Sequence, residues 1–138
     1  MNNKFRNVAT DAVNIYCSQK SKDFKTAWVD ACTKYAASKN LGCPWATFIT
    51  LCTNGFITGI EKGDYQEYKR LGANKEHTLF IMKVLDLEEI NRSYSKTIWD
   101  NLRMPVKTHN GQIDVIAGLY INQKLNLKAI NDFKLRGL

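Results

Sequence analysis

Two short stretches of this chain carry residue types that chemistry can use and that helix packing alone does not demand. The first is Gly42-Cys43-Pro44. Proline suits the first residue of a helix, because its missing N–H is one of the donors left without an intrahelical partner there. The Cys43 thiol then sits at a helix N-terminus, where free amides and the helix dipole favour a thiolate. A reactive cysteine and a small residue filling the cap region both satisfy that pattern. The second stretch is His109-Asn110-Gly111-Gln112-Ile113-Asp114, which opens a later helix. Asn110 is expected to cap that helix, with Gln112 and Asp114 suited to its first turn by capping and by charge against dipole. A nucleophilic thiol needs a base, and no histidine neighbours Cys43 in sequence. His109 is the residue that folding would have to bring to it.

Other chemistries lack their signatures. Cys43 and Cys52 stand nine apart, with neither a Cys-x-x-Cys nor a His-x-x-x-His pair, so no metal site is expected. Gly55, Gly59 and Gly63 recur at fours with apolar residues between them, unlike a phosphate-cradling loop. Glu88-Glu89 reads as a solvated face near the end of a fourth helix, not as a catalytic carboxylate pair. Trp28 and Trp99 lie on apolar helix stripes and belong to the core, whereas Trp45, on the first turn of the third helix, is expected to be partly exposed. The candidate binding set is Cys43, Trp45, Thr47, Asp64, Tyr65, His109, Asn110, Gln112 and Asp114, with Cys43 and His109 the only catalytic candidates. No cofactor is implied.

Composition bounds the rest. The 138 residues have 44% hydrophobic and 24% charged residues and two prolines, as in one helix-rich globular domain of ordinary size. No apolar run reaches the length of a membrane span, and the first residues lack a signal-peptide pattern, so a cytoplasmic protein is expected. That setting makes the four cysteines free thiols rather than a disulfide framework. The net charge is +7, with ten Lys/Arg against six acids in residues 1–70 and ten against seven in 71–138. Charge so evenly spread is compatible with weak non-specific nucleic-acid binding, but not with the concentrated face of a dedicated nucleic-acid reader.

The elements that must position these residues follow from periodicity. Phe5, Val8, Ala12, Val13 and Tyr16 predict a first helix, broken at Ser18–Lys22. Asp23 is expected to cap a second, striped by Phe24, Ala27, Trp28, Ala31 and Tyr35. The third runs from Pro44 with Phe48, Leu51 and Cys52 inward, and stops at Asn54-Gly55. Residues 56–72, β-branched and glycine-punctuated, predict an ordered connector with a small strand pair. Leu79, Phe80, Lys83, Val84 and Leu87 mark a fourth helix. A fifth, capped by Ser93 or Ser95, holds Ile98, Trp99 and Leu102 and ends before Pro105. Ile113, Ile116, Leu119 and Tyr120 mark a sixth. Leu127, Ile130 and Phe133 suggest a short seventh ending at Gly137.

The fold class is therefore all-α, six to seven helices in a single domain. Lys25-Thr26-Ala27-Trp28 matches Lys96-Thr97-Ile98-Trp99, and the same offset sets Val13 on Val84 and Val8 on Leu79. This suggests a tandem pair of three-helix units, halves of about 4–60 and 74–123, joined by the connector and followed by a tail, 124–138. Three helices and then Asn54-Gly55-Phe56-Ile57 also match a winged helix. In that arrangement Trp45, Thr47, Thr50, Thr53 and Asn54 would face outward toward DNA, although none is the Arg or Lys that usually holds phosphate and guanine.

The two polar stretches carry a resemblance as well. Gly42-Cys43-Pro44, Phe48, Leu51-Cys52, Gly55, Gly59-Ile60, and then His109-Asn110, Gln112 and Asp114-Val115 resemble the pattern of small bacterial and phage-associated proteins classed as an uncharacterised domain family. Gly63-x-Tyr65 and the Trp28 and Trp99 helices fit it too. The likeness runs to about residue 123, where Gln123-Lys124-Leu125 departs from it and the tail looks additional. It implies an all-helical fold and no particular activity. The reading that results is a non-catalytic module for an unknown protein or small ligand, binding between the third and sixth helix starts. A thiol enzyme and a winged-helix nucleic-acid binder are the alternatives.

Overall fold

The computed structural model describes residues 4–18, 23–65, 68, 71–106 and 109–136. Among these lie seven α-helices: α1 Lys4–Ser18, α2 Phe24–Lys34, α3 Cys43–Thr53, α4 Ala73–Val84, α5 Ser95–Asn101, α6 Gln112–Ile121 and α7 Leu127–Leu135. A 3-10 turn, Leu87–Asn91, stands between α4 and α5. The expected break over Ser18–Lys22 lies, apart from Ser18 at the end of α1, outside the described residues, as does Gly137. No described helix is long and apolar enough to cross a membrane.

Helices α3 and α6 form the centre and pack on each other. Every residue from Trp45 to Thr53 is buried in α3, as are Gln112, Ile113 and Val115 to Leu119 in α6. A helix that is apolar all round belongs inside a protein. Helix α1 covers α6 and also pairs with α2, while α4 covers α3, α5 leans on α6, and α7 lies on α4. The outward face expected on α3 does not exist, because Thr47, Thr50 and Thr53 are at most 2% exposed and Trp45 is 5% exposed. Threonine tolerates such burial by satisfying its hydroxyl locally. Thr50 donates to the Ala46 carbonyl at 2.7 Å, Thr53 donates to Ile49 at 2.9 Å, and Thr47 accepts from Thr78 of α4 at 3.2 Å. A helix enclosed in this way cannot enter a DNA groove, and the winged-helix reading is corrected on that ground.

Local signals place most helix ends. Asp23 caps α2, its carboxylate accepting the Thr26 N–H at 2.7 Å. Helix α3 starts one residue before Pro44, at Cys43, and stops at Asn54-Gly55 with the Phe56 N–H returning to the Leu51 carbonyl. Three expectations shift. The buried face of α4 is Thr78, Ile81 and Met82, with Phe80 and Val84 about half exposed, so the stripe expected there points outward. Helix α4 ends at Val84, and Glu88-Glu89 belong to the 3-10 turn, which Asp86 caps. Neither serine caps α5: Tyr94 occupies the N-cap position without a side-chain bond, Ser93 donates to Glu89 and Ser95 donates to Asp114.

The connector makes no strand pair of its own among the described residues. A single antiparallel bridge joins Ile57 to Leu125, with Thr58 N–H on the Lys124 carbonyl and Asn126 N–H on the Phe56 carbonyl. The tail is thereby fastened before α7 begins. Asn126 caps α7, Ile130 is fully buried, and the Phe133 ring tilts against Phe56 at 5.1 Å. Two lysines close the contact reciprocally. Lys83 of α4 donates to the Phe133 and Arg136 carbonyls at the end of α7, and Lys134 of α7 donates to the Leu85 carbonyl at the end of α4. Cations suit the carbonyls at helix ends. Burial pulls the Lys134 ammonium below the usual lysine range, against the opposing pull of Asp86.

Candidate functional site

The starts of α3 and α6 do meet. Asn110 Nδ2 lies 4.0 Å from Cys43 Sγ. Gly111, the N-cap of α6, has φ +92°, and a Cβ built on it would come 2.9 Å from the Phe5 ring and 3.2 Å from Pro44 Cγ. Only glycine meets both demands, a left-handed backbone and a passage this narrow.

Two of the side chains at this seam, His109 and Gln112, are engaged with backbone amides, while Asn110 stays exposed. Asn110 does not cap α6. His109, two residues before the N-cap, takes that role in part, its Nε2 accepting the Ile113 N–H at 3.0 Å, and Gln112 Oε1 reaches back to accept the Asn110 N–H at 2.7 Å. One bond satisfies a donor that the helix start leaves open, and the other fixes the turn that leads into it. Asp114, on the same first turn, accepts the Ser95 hydroxyl and stands 3.7 Å from Arg6 Nε, tying α6 to both α5 and α1.

This arrangement decides what His109 can do. The imidazole packs on Trp99 at 5.4 Å, and burial lowers its pKa below the ordinary value, the nearby Asp114 carboxylate partly opposing. It is therefore held neutral, with its acceptor nitrogen occupied by an amide. A base for Cys43 would need that nitrogen free and turned to the sulfur. What faces the sulfur is the Asn110 amide. The other thiols offer no substitute: burial pushes Cys32 up to about 11 and Cys52 well above the usual range, and Cys17 is exposed at the end of α1. Among the described residues no three His, Cys, Asp or Glu side chains gather closely enough to hold a metal ion.

The remaining candidates lie elsewhere. Trp45 and Thr47 are inside the core, with Trp45 edge-on to Trp28 at 6.1 Å. Asp64 and Tyr65 sit at the other end of α3, where Gly63 N–H bonds the Thr53 carbonyl. An 11-residue helix separates the two ends by roughly 15 Å. Tyr65 donates to the Glu61 carbonyl and packs edge-on to Phe24, while Asp64 is exposed. The nine candidates therefore do not form one site.

Two open clefts flank α7, and smaller ones lie at the start of α3, beside Gly42 and Trp45, and along α5 at Trp99. A cleft of about 650 Å³ lies between the connector (Asn54 to Ile57 and Gly59 to Lys62) and the Ala129, Asp132 and Arg136 side of α7. Another of about 520 Å³ lies on the opposite side, where Leu127, Asn131 and Lys134 face Val84, Leu87 and Tyr120. Sequence reading passed over both. The half-exposed Phe80 and Val84, on an amphipathic helix, carried the one available signal.

Fold and site together define an all-α domain built on a buried central helix pair, with its polar cluster spent on holding helix starts in place. The chain belongs to a family of unknown function, DUF6979, whose model matches residues 1–126. No curated protein and no solved structure matches it.

Proposed function

We propose that the chain is a non-catalytic binding module whose working surface is the pair of clefts beside α7. One contrast supports this reading. The His109 and Gln112 side chains at the seam of α3 and α6 are committed to internal hydrogen bonds, whereas the clefts present open, partly apolar walls. Ligand sites are commonly concave and mostly apolar with a few polar groups, and half-exposed Val84 and Leu127 beside Tyr120, Asn131 and Lys134 have that character.

The test is an amide NMR titration of the full chain with a panel of helical peptides and small-molecule fragments. Shifts clustering at residues 54–62, 83–88 and 126–136 are expected. Shifts clustering instead at Cys43, His109 and Asn110, or none with any ligand, would sink the reading.

We also infer that the two halves are copies of one unit. In support, α1 lies on α6 as α4 lies on α3, the exchange that a two-fold relation would produce, and Trp28 and Trp99 are both buried. The halves differ where the 3-10 turn stands between α4 and α5, which do not pair as α1 and α2 do.

A further inference from the structure

The family match ends at residue 126 and α7 begins at Leu127. Helix α7 thus lies beyond the matched residues, and much of it is open to solvent. Of its nine residues only Ile130 is buried, Leu127 is 48% exposed and Leu135 is 83% exposed. Protein interiors pack as densely as organic crystals, yet α7 has an open cleft along each flank. On one flank the helix-side residues meeting the cleft are Asn126, Ala129, Asp132 and Arg136, among which only Ala129 is apolar. The bed also bears features specific to a helix. Lys83 is aimed at carbonyls of the helix end, and Phe56 meets a ring one turn before it.

From this we infer that the bed of α7 is a helix-binding groove, occupied in this chain by α7 as a displaceable stand-in for a helix of another protein. This rests on the functional reading above and gives the partner its chemistry. The partner is an amphipathic helix with two apolar residues three apart, matching Ile130 and Phe133. Its C-terminal carbonyls face Lys83, and large apolar side chains stand where α7 has Ala129 and Asp132. Recognition of this kind uses apolar anchors at helical spacing laid into a groove. Displacement costs the partner whatever free energy holds α7, so loosening α7 strengthens partner binding.

The experiment uses the full chain and a fluorescein-labelled peptide of residues 124–136 carrying Ala129→Leu and Asp132→Leu, followed by anisotropy and by hydrogen exchange. The substituted peptide is expected to bind at least tenfold tighter than the unsubstituted one. On binding it should strip protection from α7 amides while leaving α3 and α6 protected. Lys134→Ala in the chain removes the bond from α7 to the Leu85 carbonyl, which the peptide's own Lys134 can still make, and should raise the peptide's affinity severalfold. Ile130→Ser with Phe133→Ser, which vacates the groove, should raise it further. Should the double variant fail to fold, Lys134→Ala and the exchange data decide alone. Peptide binding that leaves α7 protected would overturn displacement while sparing a binding role for the clefts. No binding to wild type or to a folded, vacated chain overturns both. Amides of α7 as slow to exchange as those of α6, with Lys134→Ala leaving peptide affinity unchanged, would make α7 an integral part of the core.

Discussion

Replacing Gly118 with alanine separates two principles that predict opposite signs. Gly118 lies inside α6, where α1 crosses it, and helix propensity alone says alanine should stabilise by about 1 kcal/mol. The crossing says otherwise. A Cβ at this position would stand 2.2 Å from the Arg6 carbonyl oxygen and 2.6 Å from Arg6 Cα. Ordinary contact begins near 3.4 Å, so α1 must retreat by about 1.2 Å, the difference of those two distances to oxygen. Both atoms are backbone and cannot rotate away. Overpacking absorbed by side chains costs about 1–3 kcal/mol, and a backbone clash belongs at the top of that range. The retreat also stretches the bond from Thr10 Oγ1 to the Gly118 carbonyl, 3.2 Å long, worth about 1 kcal/mol. Set against the propensity gain, the net loss is about 3 kcal/mol, or roughly 10–15 °C in Tm for a domain of this size. Thermal melts followed by circular dichroism, with a urea titration beside them, measure it. An unchanged or raised Tm for Gly118→Ala would refute the close crossing and the packing argument built on it.

Three further outcomes are expected. His109 has a lowered native pKa, so its contribution is fully present above about 6.5 and is lost as pH falls through that value toward the native one. His109→Ala should cost about 1 kcal/mol at neutral pH through the lost cap and flatten the decline in urea stability between about pH 6.5 and 5; an equally steep decline in the variant would dismiss His109 as its source. Iodoacetamide at pH 8, read by peptide mapping, should label exposed Cys17 and spare buried Cys32 and Cys52 until the chain unfolds. Labelling of Cys32 at the rate of Cys17 would contradict the packing of α2. Thr78→Val strips the buried Thr47 hydroxyl of its donor and should cost about 1–2 kcal/mol, whereas Thr47→Val leaves Thr78 bonded to the Asn74 carbonyl and should cost less. Equal losses in urea titrations would count against that bond.

Where one residue decides a helix end, the sequence was readable: Asp23 starts α2, and Asn54-Gly55 stops α3. The family-like pattern likewise marked residues that the fold brings together, Cys43 and Asn110. What it concealed was the use of their side chains. His109 takes the cap that asparagine would ordinarily hold, because the tight Gly111 turn carries the imidazole back over the Ile113 amide. The threonines of α3 read as outward by polarity, yet each hydroxyl finds its partner within the protein. On α4 the apolar stripe divides, with Ile81 and Met82 turned to the core and Phe80 and Val84 to solvent, and periodicity alone does not tell such faces apart. Gly118 carried no readable signal, since a glycine inside a helix looks like a penalty until the crossing helix is seen.

The meeting of α1 with α6 has a consequence in time. Thr10 and the carbonyl it binds are 108 residues apart, so α1 leaves the ribosome long before the helix it packs on. At synthesis rates of about 5–20 residues per second, the apolar face of Val8, Ala9 and Ala12 waits roughly 5–20 s for α6. During that wait only α2 shields it, and a nascent chain holding this hairpin is the stage at which chaperones have the most to grip.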